Sequence, residues 1–353
     1  MVRLLGLLSI LWSTVSIGQV QLKLDSVSKL YAEKDGMIGL SIGIYDNAGI
    51  KTSSAGDRDK ENALPFDLTT PTRIASVSKI FTAVSIMQLV EDGKLKLQDN
   101  LGALIPDCPN SWKEIKVSQV LGHSAGFPGY KNKKEQDNRV EYTSASLKSF
   151  LAKKDLIATP GEVFNYSSYG YSILGFVIEE VSGMDLEDYM KANIFDVMAM
   201  NDTYFENSSS PNANQSKKYH VNNKGKLKLI NEGSNLSDRL AAGGIISTSK
   251  DLLLFAKGLM DGTLISNSSL SRMIEPGGLK KQGNDYGFGL YLYGQNPVLG
   301  NVVGHNGAQL GCSSFLFLFP EKEAAVVVLS NTSGKMQEVS DLAVSLFSLV
   351  EVD

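Results

Sequence analysis

The sequence predicts an α/β fold in the α+β sense: an antiparallel sheet formed by both chain ends, flanked by helices, with a mostly helical subdomain inserted between them. Extended, turn-punctuated patterns occupy both ends of the chain, helical periodicity fills the middle, and strands and helices are segregated rather than alternating, which argues against a doubly wound parallel sheet.

Residues 38–45 alternate small and β-branched side chains. Asp46-Asn47-Ala48-Gly49 then supplies turn chemistry before a second extended run, the pattern of a hairpin. Near the other end Ser313 to Phe319, the turn Pro320-Glu321-Lys322-Glu323 and Ala324 to Leu329 repeat it with more Val, Leu and Phe. Between them helices are expected at Ser78 to Asp92, Ser144 to Lys153, Gly170 to Val181, Leu186 to Ala192 and Asp251 to Met260, with a closing helix over Val339 to Val350. The polar stretches Lys131 to Arg139 and Asn207 to Lys218 read as solvated loops.

At 353 residues and 42% hydrophobic, the chain can bury a large core. Met1-Val2-Arg3, the apolar run Leu4 to Leu11 and Ser16-Ile17-Gly18 have the layout of a signal peptide cleaved near Gly18, which implies a secreted or periplasmic protein. The expected division is a leader over residues 1–18 and one domain over 19–353, with a sheet subdomain at about 19–75 and 240–353 and a helical subdomain at about 76–239. No later stretch approaches the ~20 apolar residues of a spanning helix. Losing the leader removes Arg3 and no acid, so the formal net charge of −4 becomes −5, a balance that argues against nucleic acid or an anionic membrane as partner. Cys108 and Cys312 are expected as buried thiols, and His123, His220 and His305 lack metal-ligand spacing.

A Ser and a Lys three residues apart on a helix share a face, so a lysine without its proton can take that of the serine. The tetrad occurs at Ser26/Lys29, Ser76/Lys79 and Ser247/Lys250, and context separates them. A lysine is a base near neutral pH only when burial disfavours its charge. Between Lys79 and Glu91 there is no charged residue, which makes that helix apolar nearly all round and places its lysine in a core. Lys29 lies in the amphipathic profile of a surface helix, and Lys250 precedes Asp251 in a capped helix start. Gly122-His123-Ser124-Ala125-Gly126 matches a nucleophile elbow literally, but Phe127-Pro128-Gly129 follows where that motif requires a helix.

With two further segments the sequence resembles the family of class C β-lactamases, penicillin-binding D,D-carboxypeptidases and related serine esterases. Pro160-Gly161-Glu162-Val163-Phe164-Asn165-Tyr166-Ser167-Ser168 is similar to the Tyr-x-Asn box, and Gly304-His305-Asn306-Gly307-Ala308 to the Lys-Thr-Gly strand in its His-x-Gly form. Leu121 to Gly126, Ala242-Gly243-Gly244-Ile245 and Tyr286-Gly287-Phe288-Gly289 are similar to structural turns of the family, so the resemblance runs from about residue 36 to 332. It implies a β-lactamase/transpeptidase-like fold and a serine hydrolase in which Ser76 attacks a carbonyl to form an acyl-enzyme. Lys79 and Tyr166 would move the proton, and the N–H groups of Ser76 and Ala308 would hold the oxyanion. His305, Asn306, Gly307 and Ser168 are implied substrate contacts, with no metal or organic cofactor. A phenol acts as a base only if cations lower its pKa, and Lys79 is the expected cation.

Two departures bear on the substrate. Ser168 stands where the family has Asn, and a hydroxyl is shorter than an amide. His305 stands where β-lactamases have Lys, a weaker anchor for a carboxylate. The expectation is therefore an esterase or a peptidase acting on D-amino-acid peptides rather than an efficient β-lactamase. A non-catalytic, penicillin-binding-like ligand-binding relative is the competing reading.

Overall fold

The computed structural model describes residues 18–33, 36–136, 139–206, 213–230, 235–277, 279 and 285–352. The expected leader, apart from Gly18, and part of each expected polar loop lie outside them.

Helix α1 (18–33) precedes the hairpin β1 (Gly39–Asp46) and β2 (Gly49–Asp59), followed by the short strands β3 (Leu64–Pro65) and β4 (Thr72–Arg73). The inserted region holds α2 (Ser78–Glu91), α3 (Leu101–Leu104), α4 (Val117–Leu121), α5 (Lys133–Gln136), α6 (Ser144–Leu151), α7 (Ser168–Ser182), α8 (Leu186–Met190) and β5 (Tyr204–Phe205). The hairpin β6 (Tyr219–Val221) and β7 (Leu227–Leu229) leads to α9 (Leu240–Gly243), β8 (Ile245–Ser247), α10 (Ser249–Met260) and α11 (Asn267–Met273). Strands β9 (Tyr291–Asn296), β10 (Gly300–Gln309), β11 (Cys312–Phe319), β12 (Ala324–Ser330) and β13 (Thr332–Ser333) precede the closing α12 (Met336–Ser345).

The main sheet runs β3-β2-β1-β12-β11-β10-β9, antiparallel throughout, so the first and last parts of the chain meet at β1 and β12. Its two faces follow from the period of two. Leu40, Ile42 and Ile44 of β1, Phe315, Phe317 and Phe319 of β11, and Val326 and Val328 of β12 pack with α1 and α12. Leu316, Leu318, Val327 and Leu329 point the other way, into the larger core with α2, α7 and α10. Gly43 sits on that inner face because a Cβ there would come within 2.7 Å of Leu253 on α10.

The α+β architecture expected from the sequence is observed. The stretch expected as the loop 131–139 contains the single turn α5, and two small sheets, β4-β8-β5 and β13-β6-β7, went unforeseen because strands of two or three residues leave no periodic signal. Both cysteines are buried free thiols.

The small sheet is tied to the main one by Arg73. Its Nε and Nη2 donate to Glu206 at 2.6 and 2.8 Å, and its Nη1 donates to the Leu310 carbonyl at 3.0 Å. Arg73→Ala leaves the Glu206 carboxylate without its main partner in a largely buried setting and is expected to lower stability by about 3–5 kcal/mol, measured by urea unfolding. Burial raises the Glu206 pKa, but Arg73 and Lys218 outweigh it and hold the group below its ordinary value. A depressed folded-state pKa gives stability that is present above the unfolded value of ~4.3 and lost as pH falls through the folded one. The Arg73→Ala difference should therefore shrink on acidification below that value.

Candidate active site

Ser76 lies at the end of a tight approach. Ile74 donates its N–H to the Ile245 carbonyl at 3.1 Å, Ala75 is forced to φ +48°, and Ala75–Val77 form a 3₁₀ turn that runs into α2. A positive φ at a buried alanine is backbone strain sustained by its surroundings. Ser76 is half-buried on the wall of a cavity of about 340 Å³.

Lys79, one turn along, is fully buried. Its Nζ lies 2.8 Å from the Ala242 carbonyl, 3.2 Å from Ser76 Oγ and 3.3 Å from Ser168 Oγ. Burial, assisted by the nearby Arg239 cation, lowers its pKa well below the ordinary lysine value. A neutral amine has two N–H bonds and one lone pair. A carbonyl can only accept, so one N–H goes to Ala242, and Ser168 Oγ can take the other, which leaves the lone pair for the Ser76 hydroxyl. A serine beside an uncharged amine is the pairing that nucleophilic acyl transfer requires.

Tyr166 precedes α7, whose first turn is capped by Ser167 Oγ accepting from the Gly170 N–H. The hydroxyl of Tyr166 lies 3.4 Å from His305 Nε2, and its ring lies 4.9 Å from Lys79 Nζ and stacks at 6.2 Å on Tyr291. Here an expectation is corrected. Burial pushes the Tyr166 phenol well above its ordinary value, with the adjacent Ser76 hydroxyl pulling weakly the other way. Burial lowers the Lys79 pKa as well, so it disfavours the cation that was expected to draw the phenol down.

His305 is corrected as well. It is buried behind the cavity wall, and burial together with Lys79 pushes its imidazole down to about 3. Nδ1 faces the Asn306 carbonyl at 2.6 Å, so Nδ1 carries the proton and Nε2 accepts from Tyr286 Oη at 3.1 Å and from Tyr166. His305 is an uncharged acceptor that orients phenols, not an anchor for a carboxylate. Gly307 also lies behind the wall, where a Cβ would come within 2.3 Å of the Ile74 carbonyl oxygen and of Ser314 Oγ. This close approach sets Ala308 beside Ser76 on the cavity wall, with Asn306 and Ser168 also lining it.

The other Ser-Lys tetrads lie elsewhere. Ser26 is exposed and donates to the Leu22 carbonyl in α1, while Ser247 is buried against Thr203 at 2.8 Å and Lys250 is exposed. Ser124 is buried in a turn whose carbonyls receive the N–H groups of Ile157, Gly161 and Asn165, bracing the segment that delivers Tyr166. Sequence reasoning missed the Ala242 carbonyl, a backbone atom with no side-chain signal, and Tyr130, Gln136 and Arg239 on the cavity wall.

The family model described as Beta-lactamase matches residues 24–350, and the chain belongs to that family. It is 26% identical to the "Putative penicillin-binding protein PbpX" of Bacillus subtilis (strain 168) over 74% of this chain and 64% of that protein. It is 28% identical to "Penicillin-binding protein 4*" of the same organism, over 73% and 60%. The matched region thus spans less than two thirds of either relative. Among solved structures, D-amino acid amidase from Ochrobactrum anthropi SV3 superposes with a TM-score of 0.81 at 22% identity, covering 94% of this chain and 99% of that one. A penicillin binding protein from Bacillus halodurans gives a TM-score of 0.74 at 25% identity, covering 87% and 96%.

The Gly307 contact yields a test. Gly307→Ala should push β10 off the turn before Ser76, lowering stability by roughly 1–3 kcal/mol and slowing reaction of the protein with a fluorophosphonate, read by urea unfolding and by intact mass.

Proposed function

We propose that this chain is a secreted serine hydrolase that cleaves esters or amides through an acyl-enzyme on Ser76, with D-amino-acid amides, peptides and neutral esters as the substrate class. The observation that carries the reading is the fully buried Lys79 amine 3.2 Å from Ser76 Oγ, with no carboxylate among its hydrogen-bond partners. Lys79 takes the proton as Ser76 attacks the carbonyl. Tyr166, a neutral phenol, then turns its hydroxyl from His305 to the leaving group, gives it the proton and is reprotonated by the Lys79 ammonium, which returns Lys79 to its starting state. The N–H groups of Ser76 and Ala308 receive the oxyanion, and a water molecule deacylates the enzyme by the reverse sequence.

The substrate class is supported by charge. Lys79 and His305 are both held neutral, so neither offers a permanent cation to the carboxylate that β-lactams carry. The names of the structural neighbours, a D-amino acid amidase and a D-stereospecific amidohydrolase from Streptomyces sp., agree with a D-amino-acyl carbonyl. The leader read in residues 1–18 supports export, and no helix among the described residues is long and apolar enough to cross a membrane.

Fluorophosphonate should add one adduct, mapped to Ser76, that disappears in Ser76→Ala and persists in Ser124→Ala. An adduct on Ser124 would sink the assignment, and no adduct with no ester turnover would favour a ligand-binding protein.

Lys79→Met separates chemistry from folding. The folded pKa of Lys79 lies below the unfolded ~10.4, so between those values the unfolded chain binds the extra proton and stability rises with pH through that window. At pH 7 the neutral lysine therefore costs stability. Lys79→Met should lower ester turnover by about 10³-fold or more while leaving the urea midpoint at or above that of the natural chain; a clear fall in the midpoint would show that Lys79 stabilises the fold instead.

A further inference from the structure

Arg239 is the charged side chain on the cavity wall that the proposed chemistry leaves unused. It is 4% exposed, just ahead of α9, the element whose Ala242 carbonyl holds Lys79. Its Nε and Nη2 donate to the two oxygens of Asp238 at 2.7 and 3.0 Å, Nη2 also donates to the Gln136 carbonyl, and the guanidinium lies 4.6 Å from the centre of the Tyr130 ring. Those bonds use one edge of the fork. Among the described residues Nη1 has no hydrogen-bond partner, which leaves its two N–H groups for the cavity that Arg239 lines.

Sidedness follows from the chemistry. Tyr166 hands its proton to the leaving group, so the leaving group lies over Tyr166, toward Tyr291, which stacks on it. In the proposed reaction the acyl group is then directed to the rest of the cavity wall, which Ser168, Ala242 and Arg239 share. Asp238 already balances the charge of Arg239 and holds its plane fixed, so the free edge offers directed donors with little net charge to attract an anion.

We propose that Arg239 is a specificity-determining residue whose Nη1 edge binds a carbonyl oxygen on the acyl side of the substrate, such as the amide carbonyl of an N-acylated amino-acid or peptide acyl group. This rests on the acyl-enzyme reading above and names the substrate feature selected at that site.

The test compares 4-nitrophenyl N-acetylglycinate with 4-nitrophenyl valerate, a chain of similar length without the amide, and with 4-nitrophenyl hydrogen succinate. Each kcat/KM is divided by the spontaneous hydrolysis rate of its ester. The natural protein should favour the N-acetylglycinate over the valerate, and Arg239→Gln and Arg239→Lys should reduce that ratio at least about ten-fold, the scale of a lost charge-assisted hydrogen bond. A ratio cancels any general effect of Arg239 on Lys79 or on folding. Where Arg239→Gln misfolds because Asp238 is left unpaired, the Asp238→Asn/Arg239→Gln double variant removes both charges and is expected to show the same loss. A ratio unchanged in folded variants, a natural ratio near one, or loss confined to the succinate would each overturn the assignment. No turnover of any of the esters and no labelling of Ser76 would overturn the acyl-enzyme reading and this inference with it, whereas esters turned over without discrimination would overturn this inference alone.

Discussion

The structure depends on one constraint, which is that the amine of Lys79 must be kept away from water and from carboxylates. A lysine near a surface is a cation with no lone pair to offer. Here α2 is buried on nearly every side, with Ile80, Phe81, Ala83, Val84, Ile86 and Leu89 in the core and Phe81 stacked at 3.8 Å on Phe255 of α10. A helix of that composition cannot lie on a surface, and so the inserted helices must close over it from the side away from the sheet. The partners left to Lys79 are then a backbone carbonyl and two hydroxyls, which can hold an amine without charging it. Unfavourable local free energy at this position is what makes the chemistry available, and the large two-sided core around the sheet offsets it.

The second requirement is precision at the sheet edge. Ser76 belongs to the start of a helix and Ala308 to a strand more than two hundred residues later, yet both must address one oxygen atom for the proposed oxyanion site to work. Backbone achieves this with almost no intervening side chain. Gly307 lets β10 press on the Ile74 carbonyl, Ser314 of β11 donates to the same carbonyl at 2.8 Å, and Cys312 Sγ lies 2.8 Å from the Arg73 carbonyl. Three consecutive outside contacts thus fix the segment that enters the 3₁₀ turn, and the positive φ of Ala75 is the local cost of that fit.

How much of this could be read from the chain depended on the range over which each signal acts. The burial of Lys79 was legible because the evidence is contiguous: Ser76, Lys79 and the uncharged run that follows share one helix. The sheet was legible because β11 and β12 are short apolar runs bounded by turn residues, the pattern of strands buried on both faces. Tyr166 and Ala308 entered only through resemblance, since nothing local connects them to Ser76 across such separations. The Ala242 carbonyl was invisible because every residue has one, and Arg239 because charged residues usually signal surface. Whether Lys79 carries the charge that would draw the Tyr166 phenol down was not legible, because burial acts on both groups. Composition shows that a cation and a phenol are near each other, but whether water reaches them decides which is charged, and water access is a property of the fold.

The same reasoning bears on what the site can recognise. Burial disfavours charge on Lys79, His305 and Tyr166 alike, so before a substrate arrives the site favours the uncharged form of each. In the proposed reaction, attack by Ser76 creates two charges together, the oxyanion and the lysine ammonium, in a place built to hold neither in the ground state. The ammonium would form within reach of the Ala242 carbonyl and the Ser168 hydroxyl, and the oxyanion at the positive end of α2. Each stabilises the other, so the site favours the separated charges of the transition state over any ion brought in by the substrate. A substrate that carries its own carboxylate toward Tyr166 and His305 would meet groups that cannot compensate it, so on the proposed reading a preference for neutral esters and amides would follow from the burial of one lysine.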